Sequence, residues 1–270
     1  MKSKAFSAPY IIWMAIFVVS PIVLVVIYAF SSPHGGFTLE NFTRMVSYLS
    51  VFGRSFLLAI IATAICLLIG YPLSYILSRE GPRFRRICMM LIMLPMWMNF
   101  LLRTYAWMSI LENTGLLNRL LSFLHLPALN IINTPAAVVL GMVYNFLPFM
   151  VLPIYSVILK IDHSLIEAAQ DLGAHPTGVF RKVIFPLSLP GVLSGITMVF
   201  VPAVSTFVIS QLLGGGKNML LGDLIEMQFL GSAYNPYLGS AIALVMMIIV
   251  MICMLVMSRF GEGEEQAVMM

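Results

Sequence analysis

The sequence contains very little charge. Asp, Glu, Lys and Arg make up 10% of its 270 residues, whereas a soluble globular protein carries charge on about a quarter of its residues. The mean hydropathy is +0.99. This composition excludes a water-soluble globular fold and predicts a chain that lies mostly within a lipid bilayer.

Residues that commonly carry catalysis or bind metals are also scarce. Cys66, Cys88 and Cys253 stand singly, and the four histidines are isolated, so neither a disulfide framework nor metal-ligand spacing is visible. The HExxH, GxSxG and phosphate-binding glycine motifs are absent, and no basic cluster is interleaved with aromatic residues. The sequence therefore predicts no enzyme, no catalytic residue, no metal site, no cofactor in this chain and no nucleic-acid binding.

Long apolar runs are plentiful instead. A helix needs about 20 predominantly apolar residues to cross the hydrocarbon core. Runs of this length cover residues 9–30, 55–78, 87–109, 135–159, 187–210 and 237–258. Arg103 lies within the third run, near one end, where its long side chain is expected to reach the lipid headgroups. We therefore predict an all-α, polytopic membrane protein with six transmembrane helices.

The distribution of positive charge predicts the orientation of these helices, because Lys and Arg are retained on the cytoplasmic side. With the N-terminus inside, the inside segments hold Lys2, Lys4, Arg79, Arg83, Arg85, Arg86, Lys160, Arg181, Lys182 and Arg259. The outside segments hold only Arg44, Arg54, Arg103, Arg119 and Lys217. Both termini are therefore predicted to be cytoplasmic. The formal net charge of +4 is interpreted as this orientation signal together with contact with anionic lipid.

Two outside segments carry their own pattern. "FTLENFTRM", residues 37–45, is either the start of an amphipathic helix on the membrane surface or a solvated connection. Residues 112–134 alternate apolar clusters with Gly, Asn and Pro. They are too short to span and too apolar for a free loop, which predicts a half-inserted hairpin or a surface helix.

The longest inside connection, residues 160–186, is polar and rich in turn residues. Ser164 and Glu167 form an S-x-x-E pattern that predicts the start of a helix. Gly173 is expected to end that helix in a left-handed conformation, and Pro176 to prevent its continuation. A second short helix is expected to end at Pro186, where the fifth span begins. A helix, a sharp turn and a second helix favour docking to a partner over a self-folded loop.

The same segment resembles the coupling loop of permease subunits of bacterial ABC importers. The pattern is E-A-A, then Gly, then an apolar-x-apolar-Pro ending, and its residues here are Glu167, Ala168, Ala169, Gly173, Val183, Phe185 and Pro186. The usual ending is I-x-L-P, so Val183 and Phe185 are conservative departures. Glu167 is a candidate both for capping the helix and for an ion pair at the interface.

The resemblance extends over nearly the whole chain to the B-type permeases of spermidine/putrescine importers. It is carried by residues 37–45, by "TPAAVVLGMVYNFLPFMVLPIYSVI" at 134–158 and by "SQLLGGGKNMLLGDLIEMQFL" at 210–230. It implies the type I ABC importer permease fold in a bacterial inner membrane. The implied partners are a second permease, two ATPase subunits that bind the ATP and Mg²⁺, and an extracytoplasmic polyamine-binding protein.

This resemblance also suggests a division of the chain. Residues 1–50 would form the N-terminal helix and outside loop, residues 51–258 the permease core with the coupling loop at 160–186, and residues 259–270 a cytoplasmic tail.

A polyamine passage needs carboxylates, carbonyl groups and aromatic faces. The candidate lining residues are Trp97, Asn99, Tyr105, Tyr144, Asn145, Asp223 and Glu226. The alternatives are membrane-interface anchoring by the aromatic residues and, for the two acids, solvation or contact with the binding protein.

Each of three rival functions would require a different feature of the sequence. A permease for sulfate, molybdate or iron would share the coupling motif, and Arg103 keeps anion transport open. An ion channel or a secondary carrier would work without an ATPase and would normally hold acids in mid-membrane. An intramembrane enzyme would need paired acids, His or Cys within the spans, and the spans contain no such pair.

Overall fold

The computed structural model describes residues 3–33, 35–216, 218–231 and 233–268, with the side chains of residues 9–259 inside those ranges. In these residues the chain forms helices and no β-strand, which confirms the all-α prediction. Lys2 and Lys217, which enter the orientation prediction, lie outside the described residues. The helices are α1 (Ser3–Met14), α2 (Ser20–Ala29), α3 (Glu40–Met45), α4 (Leu49–Arg79), α5 (Pro82–Trp97), α6 (Phe100–Leu111), α7 (Leu116–Phe123), α8 (Pro135–Ile158), α9 (His163–Asp171), α10 (Pro176–Val179), α11 (Phe185–Ser205), α12 (Val208–Gly214), α13 (Leu221–Leu230) and α14 (Pro236–Val268).

Five helical stretches in the described residues are long and apolar enough to cross a membrane. They are Pro9–Ala29, Glu40–Arg79, Pro135–Ile158, Pro176–Ser205 and Pro236–Arg259. The third predicted span is instead a broken pair, Pro82–Trp97 and Phe100–Phe123, bent by 95°. With this pair counted as one span, the described residues contain six stretches that are long and apolar enough for the six predicted spans.

The break has a local cause. Pro95 lies inside the last turns of α5 and has no N–H to continue the ladder. Met98 is extended, and the side chain of Asn99 then caps α6 by accepting hydrogen bonds from Leu101 N at 2.8 Å and Leu102 N at 3.4 Å. An Asn at this position starts a helix in a new direction. The expectation of an unbroken helix over 87–109 is therefore wrong.

The centre of the bundle is formed by α4, α8 and α11, which pack on one another along most of their length. Met150 of α8 is fully buried between Gly70 of α4 and Gly195 of α11. A Cβ added at Gly70 would lie 2.9 Å from Met150 Cγ, and one at Gly195 would lie 2.8 Å from its sulfur. Small residues thus let three helices approach closely, as membrane helix packing requires.

The described part of the chain contains two π-helical turns, at Ala15–Val19 and Phe180–Ile184, and each ends two residues before a proline, Pro21 or Pro186. The residue before each proline bonds five residues back, Ser20 N to Ala15 O and Phe185 N to Phe180 O. A proline ring clashes with the carbonyl four residues earlier. The wider turn relieves this clash and keeps the helix continuous.

The first helical stretch packs on the last. Ala29 of α2 is buried together with Ala241 and Leu244 of α14. Asn41 of α3 fixes the connection, because its amide donates to the carbonyl oxygens of Ala29 and Ser31, both at 3.0 Å.

α3 confirms a helix within residues 37–45. α14 continues beyond residue 258 to Val268, and Met269 and Met270 of the predicted tail lie outside the described residues.

The segment 112–134 contains one amphipathic helix, α7, followed by an irregular return. Buried Asn118 holds the two together, since its amide donates to Leu129 O at 3.0 Å and its side-chain oxygen accepts from Leu129 N at 2.8 Å. Thr134 then caps α8 by accepting from Ala137 N. The segment therefore folds back on itself next to the broken span.

Candidate functional site

The 160–186 segment begins with a capped helix, α9. Its N-cap is Asp162, whose carboxylate accepts from Ser164 N at 3.0 Å. The pKa of Asp162 is lowered, first by this backbone hydrogen bond and then by the Ser164 side chain. The predicted capping box of Ser164 and Glu167 is therefore wrong. The helix begins earlier than predicted, because a carboxylate directly before it satisfies the first free N–H groups.

α9 has two distinct faces. His163, Ile166, Glu167 and Gln170 line a cleft between α9 and the ends of α4 and α8. Leu165, Ala168 and Leu172 lie on the other side and are exposed, Leu172 to 89%. Residues three, four and seven apart share one face of a helix. The exposed set forms an apolar stripe with no cover in the described residues, which is a feature of docking surfaces. We call it the outer face of α9.

The cleft has a volume of about 410 Å³. Glu167 faces it from α9, and Arg79 lines it from the end of α4. The Arg79 guanidinium lies over the ring of Tyr75, 4.7 Å from its centroid. Glu167 thus points toward a cleft that this chain itself walls, and the ion pair predicted for it remains a prediction.

Gly173 ends α9 as predicted. Its φ of +78° is left-handed, a conformation that glycine adopts without a steric penalty. Gly173 N donates to Gln170 O at 2.8 Å, and Ala174 N donates to Ala169 O at 3.0 Å. Pro176 then begins α10. The two short helices are therefore joined by a tight hydrogen-bonded turn.

Beyond that turn the chain does not break at Pro186, and the predicted junction there is wrong. Residues 176–205 form one continuous helical stretch, because the π turn accommodates Pro186. Phe180 inside the π turn packs edge-on against Tyr75 and Tyr71, with ring centroids 5.2 and 5.9 Å apart. Phe185 packs on Tyr71 at 5.8 Å. The segment is thereby anchored to α4.

Val183 is half-buried and Pro186 is exposed, so neither of these motif residues belongs to the buried core. The hydroxyl groups of Tyr71 and Ser188 share a hydrogen bond of 2.8 Å, which joins α4 to α11 just beyond the motif. Sequence reasoning missed Tyr71, Tyr75 and Phe180. It also missed Leu165 and Leu172, although the Leu-x₂-Ala-x₃-Leu spacing on an otherwise polar helix signals an exposed apolar face.

The predicted passage residues fall into separate places in this chain. Trp97, at the end of α5, is 78% exposed, and Tyr105 of α6 is also exposed. Asn99 caps α6. Tyr144 of α8 packs edge-on against Trp107 with ring centroids 5.2 Å apart. These residues remain predictions for a passage.

Asn145 of α8 and Arg103 of α6 are buried side chains that each keep a polar atom without a partner. Asn145 donates to Gly141 O at 2.8 Å, while its side-chain oxygen has no partner. Arg103 is 8% exposed and lies beside the Phe100 ring, with Nε and Nη1 unpaired. The expectation that Arg103 reaches the headgroups is therefore wrong. It is held inward on α6, where a buried charge is costly without a partner.

Only Asp223 and Glu226 come together, in a pocket between α12 and α13. Asp223 is buried, and one of its oxygens accepts from Leu220 N at 2.7 Å. Burial raises the pKa of Asp223 to about 6, and the hydrogen bond from Leu220 N opposes this shift. Glu226 accepts a hydrogen bond from the Gln211 amide.

The sequence matches the family described as binding-protein-dependent transport system inner membrane component over residues 70–262. It is 39% identical to the spermidine/putrescine transport system permease protein PotB of Haemophilus influenzae over 261 residues, 93% of this chain and 91% of that protein. It is 37% identical to PotB of Escherichia coli over 257 residues, 92% of this chain and 93% of that protein.

Solved structures agree on the fold. A bacterial ABC transporter that imports the acidic polysaccharide alginate superimposes with a TM-score of 0.79, at 17% identity, over 96% of this chain and 94% of that chain. The MetNI methionine ABC transporter matches with a TM-score of 0.61, at 18% identity, over 82% of this chain and 98% of that chain. These likenesses confirm the predicted type I importer permease fold.

Proposed function

Because this chain belongs to the family of binding-protein-dependent transport system inner membrane components, we propose that it is the permease subunit of an ATP-driven polyamine importer. The family provides the multi-pass inner-membrane part of ABC importers and is not itself an enzyme. The ATP and Mg²⁺ would be bound by two ATPase subunits, and a second permease would complete the passage.

The substrate class rests on the relatives. Identity of 37–39% extends over more than nine-tenths of the chain to permeases named for spermidine and putrescine transport. An extracytoplasmic binding protein that delivers a polyamine is the corresponding partner. The alternative, a permease for sulfate, molybdate or iron, is kept as an arm of the test below.

The observation that carries the coupling role is the shape of α9. Its outer face presents Leu165, Ala168 and Leu172 away from the bundle, and its inner face lines the cleft. The tight turn at Gly173 and the aromatic anchor of Phe180 join it to the stretch 176–205. A push on α9 by an ATPase subunit is therefore transmitted into a continuous helix of 30 residues rather than lost in a loop.

The broken span supports a passage shared with a second permease. Non-helical backbone at membrane depth is tolerated only where protein covers it or where it lines a water-filled cavity. Trp97, Met98 and Asn99 are exposed in this chain. We therefore expect another subunit or a water-filled passage to face this bend, which makes Trp97 and Asn99 candidates for the passage wall.

The direct test uses proteoliposomes that contain the assembled complex and its binding protein. We expect ATP-dependent accumulation of labelled spermidine or putrescine and none of labelled sulfate. Vesicles loaded with a non-hydrolysable ATP analogue serve as the control. Accumulation of sulfate without polyamine would contradict the proposed substrate, and polyamine accumulation without ATP would contradict the importer.

A further inference from the structure

The pocket between α12 and α13 contains two carboxylates and no basic residue among its described lining residues. It measures about 320 Å³ and includes Ser210, Gln211, Asp223, Glu226 and Met227 in its lining. None of the described residues that line it is basic. Two carboxylates therefore share a small space without a counter-charge among those residues.

Asp223 lines this pocket and has a carboxylate oxygen without a hydrogen-bond partner. The residue is only 7% exposed, and Oδ2 is used by Leu220 N, but Oδ1 has no hydrogen-bond partner. Buried polar atoms in native structures nearly always have a partner. Capping of α13 explains one oxygen of the carboxylate and leaves the other available to a ligand.

Glu226 and Ser210 can supply further hydrogen-bond acceptors for a ligand that binds to Asp223. Glu226 is engaged by the amide of Gln211, a neutral donor that a charged ligand can replace. The Ser210 hydroxyl uses its proton on Phe207 O at 2.9 Å, so its oxygen is left as an acceptor. Three acceptors match the three N–H donors of a primary ammonium group.

The chemistry favours an alkylammonium over a metal ion. Ca²⁺ takes six to eight oxygen ligands, and no group of three or more His, Cys, Asp or Glu side chains that is able to hold a metal occurs in the described part of the chain. Met219, Met227 and Leu230 form an apolar wall beside the acids. A charged head with an aliphatic chain fits this combination.

We propose that this pocket binds one primary ammonium group of an aliphatic amine, with Asp223 Oδ1 as its main acceptor and Glu226 as the second. The inference rests on the function proposed above and adds to it a defined subsite. The arriving ammonium group displaces the Gln211 amide from Glu226, while its methylene chain lies along Met219 and Met227.

The first test compares uptake by reconstituted complexes that carry single substitutions. Asp223→Asn keeps an oxygen for Leu220 N and so preserves the cap. We expect it to raise the KM for spermidine about tenfold or more with little change in the maximal rate, because one charge-assisted hydrogen bond is lost. Glu112→Gln, an exposed acid outside the pocket, should behave like the unsubstituted protein.

A second test measures binding without transport. In a background lacking Cys66, Cys88 and Cys253, Met227→Cys places a thiol in the pocket wall. Spermidine or propylammonium should slow its alkylation in the purified complex, and added Asp223→Asn should abolish that protection. Alkylation at the same rate with and without either amine would overturn the subsite. Failure of polyamine uptake with protection intact would overturn only the proposed transport function.

Discussion

Gly173 and Asp162 define α9 at the level of single residues. Asp162 begins the helix through its carboxylate, and Gly173 ends it with a φ of +78°. The sequence predicted the glycine, because its turn role depends only on local backbone geometry. It did not predict Asp162, because two plausible caps lie two residues apart and only packing decides between them.

Gly173→Ala is expected to uncouple ATP hydrolysis from uptake. A Cβ at Gly173 meets no atom within 4 Å, so the only cost is the left-handed backbone, about 1–2 kcal/mol. We expect uptake by the reconstituted complex to fall several-fold while ATP hydrolysis persists.

The matched control is Gly178→Ala in the following helix, where an added Cβ lies 3.9 Å from Ala174 Cβ and the backbone is right-handed. Its uptake should be unchanged. Equal uptake by both variants would show that the Gly173 turn does not transmit force.

The candidate passage residues illustrate what single-residue reasoning leaves out. Asp223 and Glu226 are three apart on one short helix, and they do share a pocket. The sequence indicates Asn99 as a polar lining group, yet its side chain caps α6. Arg103 was expected at the headgroups and is buried. Side-chain direction depends on the break at Met98, which the sequence pattern did not reveal.

At the level of elements, apolar length predicted three of the spans closely, those at 9–30, 135–159 and 237–258, whereas the observed stretches Glu40–Arg79 and Pro176–Ser205 begin well before the predicted residues 55 and 187. Length alone is sufficient for α8, predicted at 135–159 and observed at Pro135–Ile158. Apolar length does not predict the helix boundary correctly near Pro95 and Pro186. Pro95 accompanies a break, whereas Pro186 is absorbed by a π turn, so a proline inside a span does not by itself predict a boundary.

The packing of α4, α8 and α11 around Met150 gives a prediction at this scale. Gly195→Val is expected to destabilise the bundle by about 1–3 kcal/mol, because the new side chain would overlap the Met150 sulfur. The measurement is the thermal unfolding of the purified protein. Met150→Ala in the same chain should restore part of the loss.

Gly53→Val on α4 is the control, since a Cβ there meets nothing within 4 Å. It should shift the unfolding temperature far less than Gly195→Val. Equal shifts for the two variants would contradict close packing at the three-helix junction.

For the whole molecule, the chain presents surfaces that it does not cover itself. The outer face of α9 and the bend at 97–99 are both exposed, although apolar side chains and open backbone are costly in those places. The sequence resemblance implies the further subunits that would cover these surfaces. Hydropathy alone does not imply them, because it counts apolar residues without showing which of them face lipid. The predicted cytoplasmic termini remain a prediction.

The most direct test of the docking through which α9 would receive force from an ATPase subunit is site-directed cross-linking in the assembled complex. Two separate variants are made in the cysteine-less background and treated with a short thiol cross-linker. Leu172→Cys tests the outer face of α9, and Phe37→Cys is the control, because Phe37 is 77% exposed in the first loop. We predict that Leu172→Cys cross-links to an ATPase subunit and that Phe37→Cys does not. Labelling of Leu172→Cys from the outer face of the membrane, without any ATPase adduct, would contradict the account.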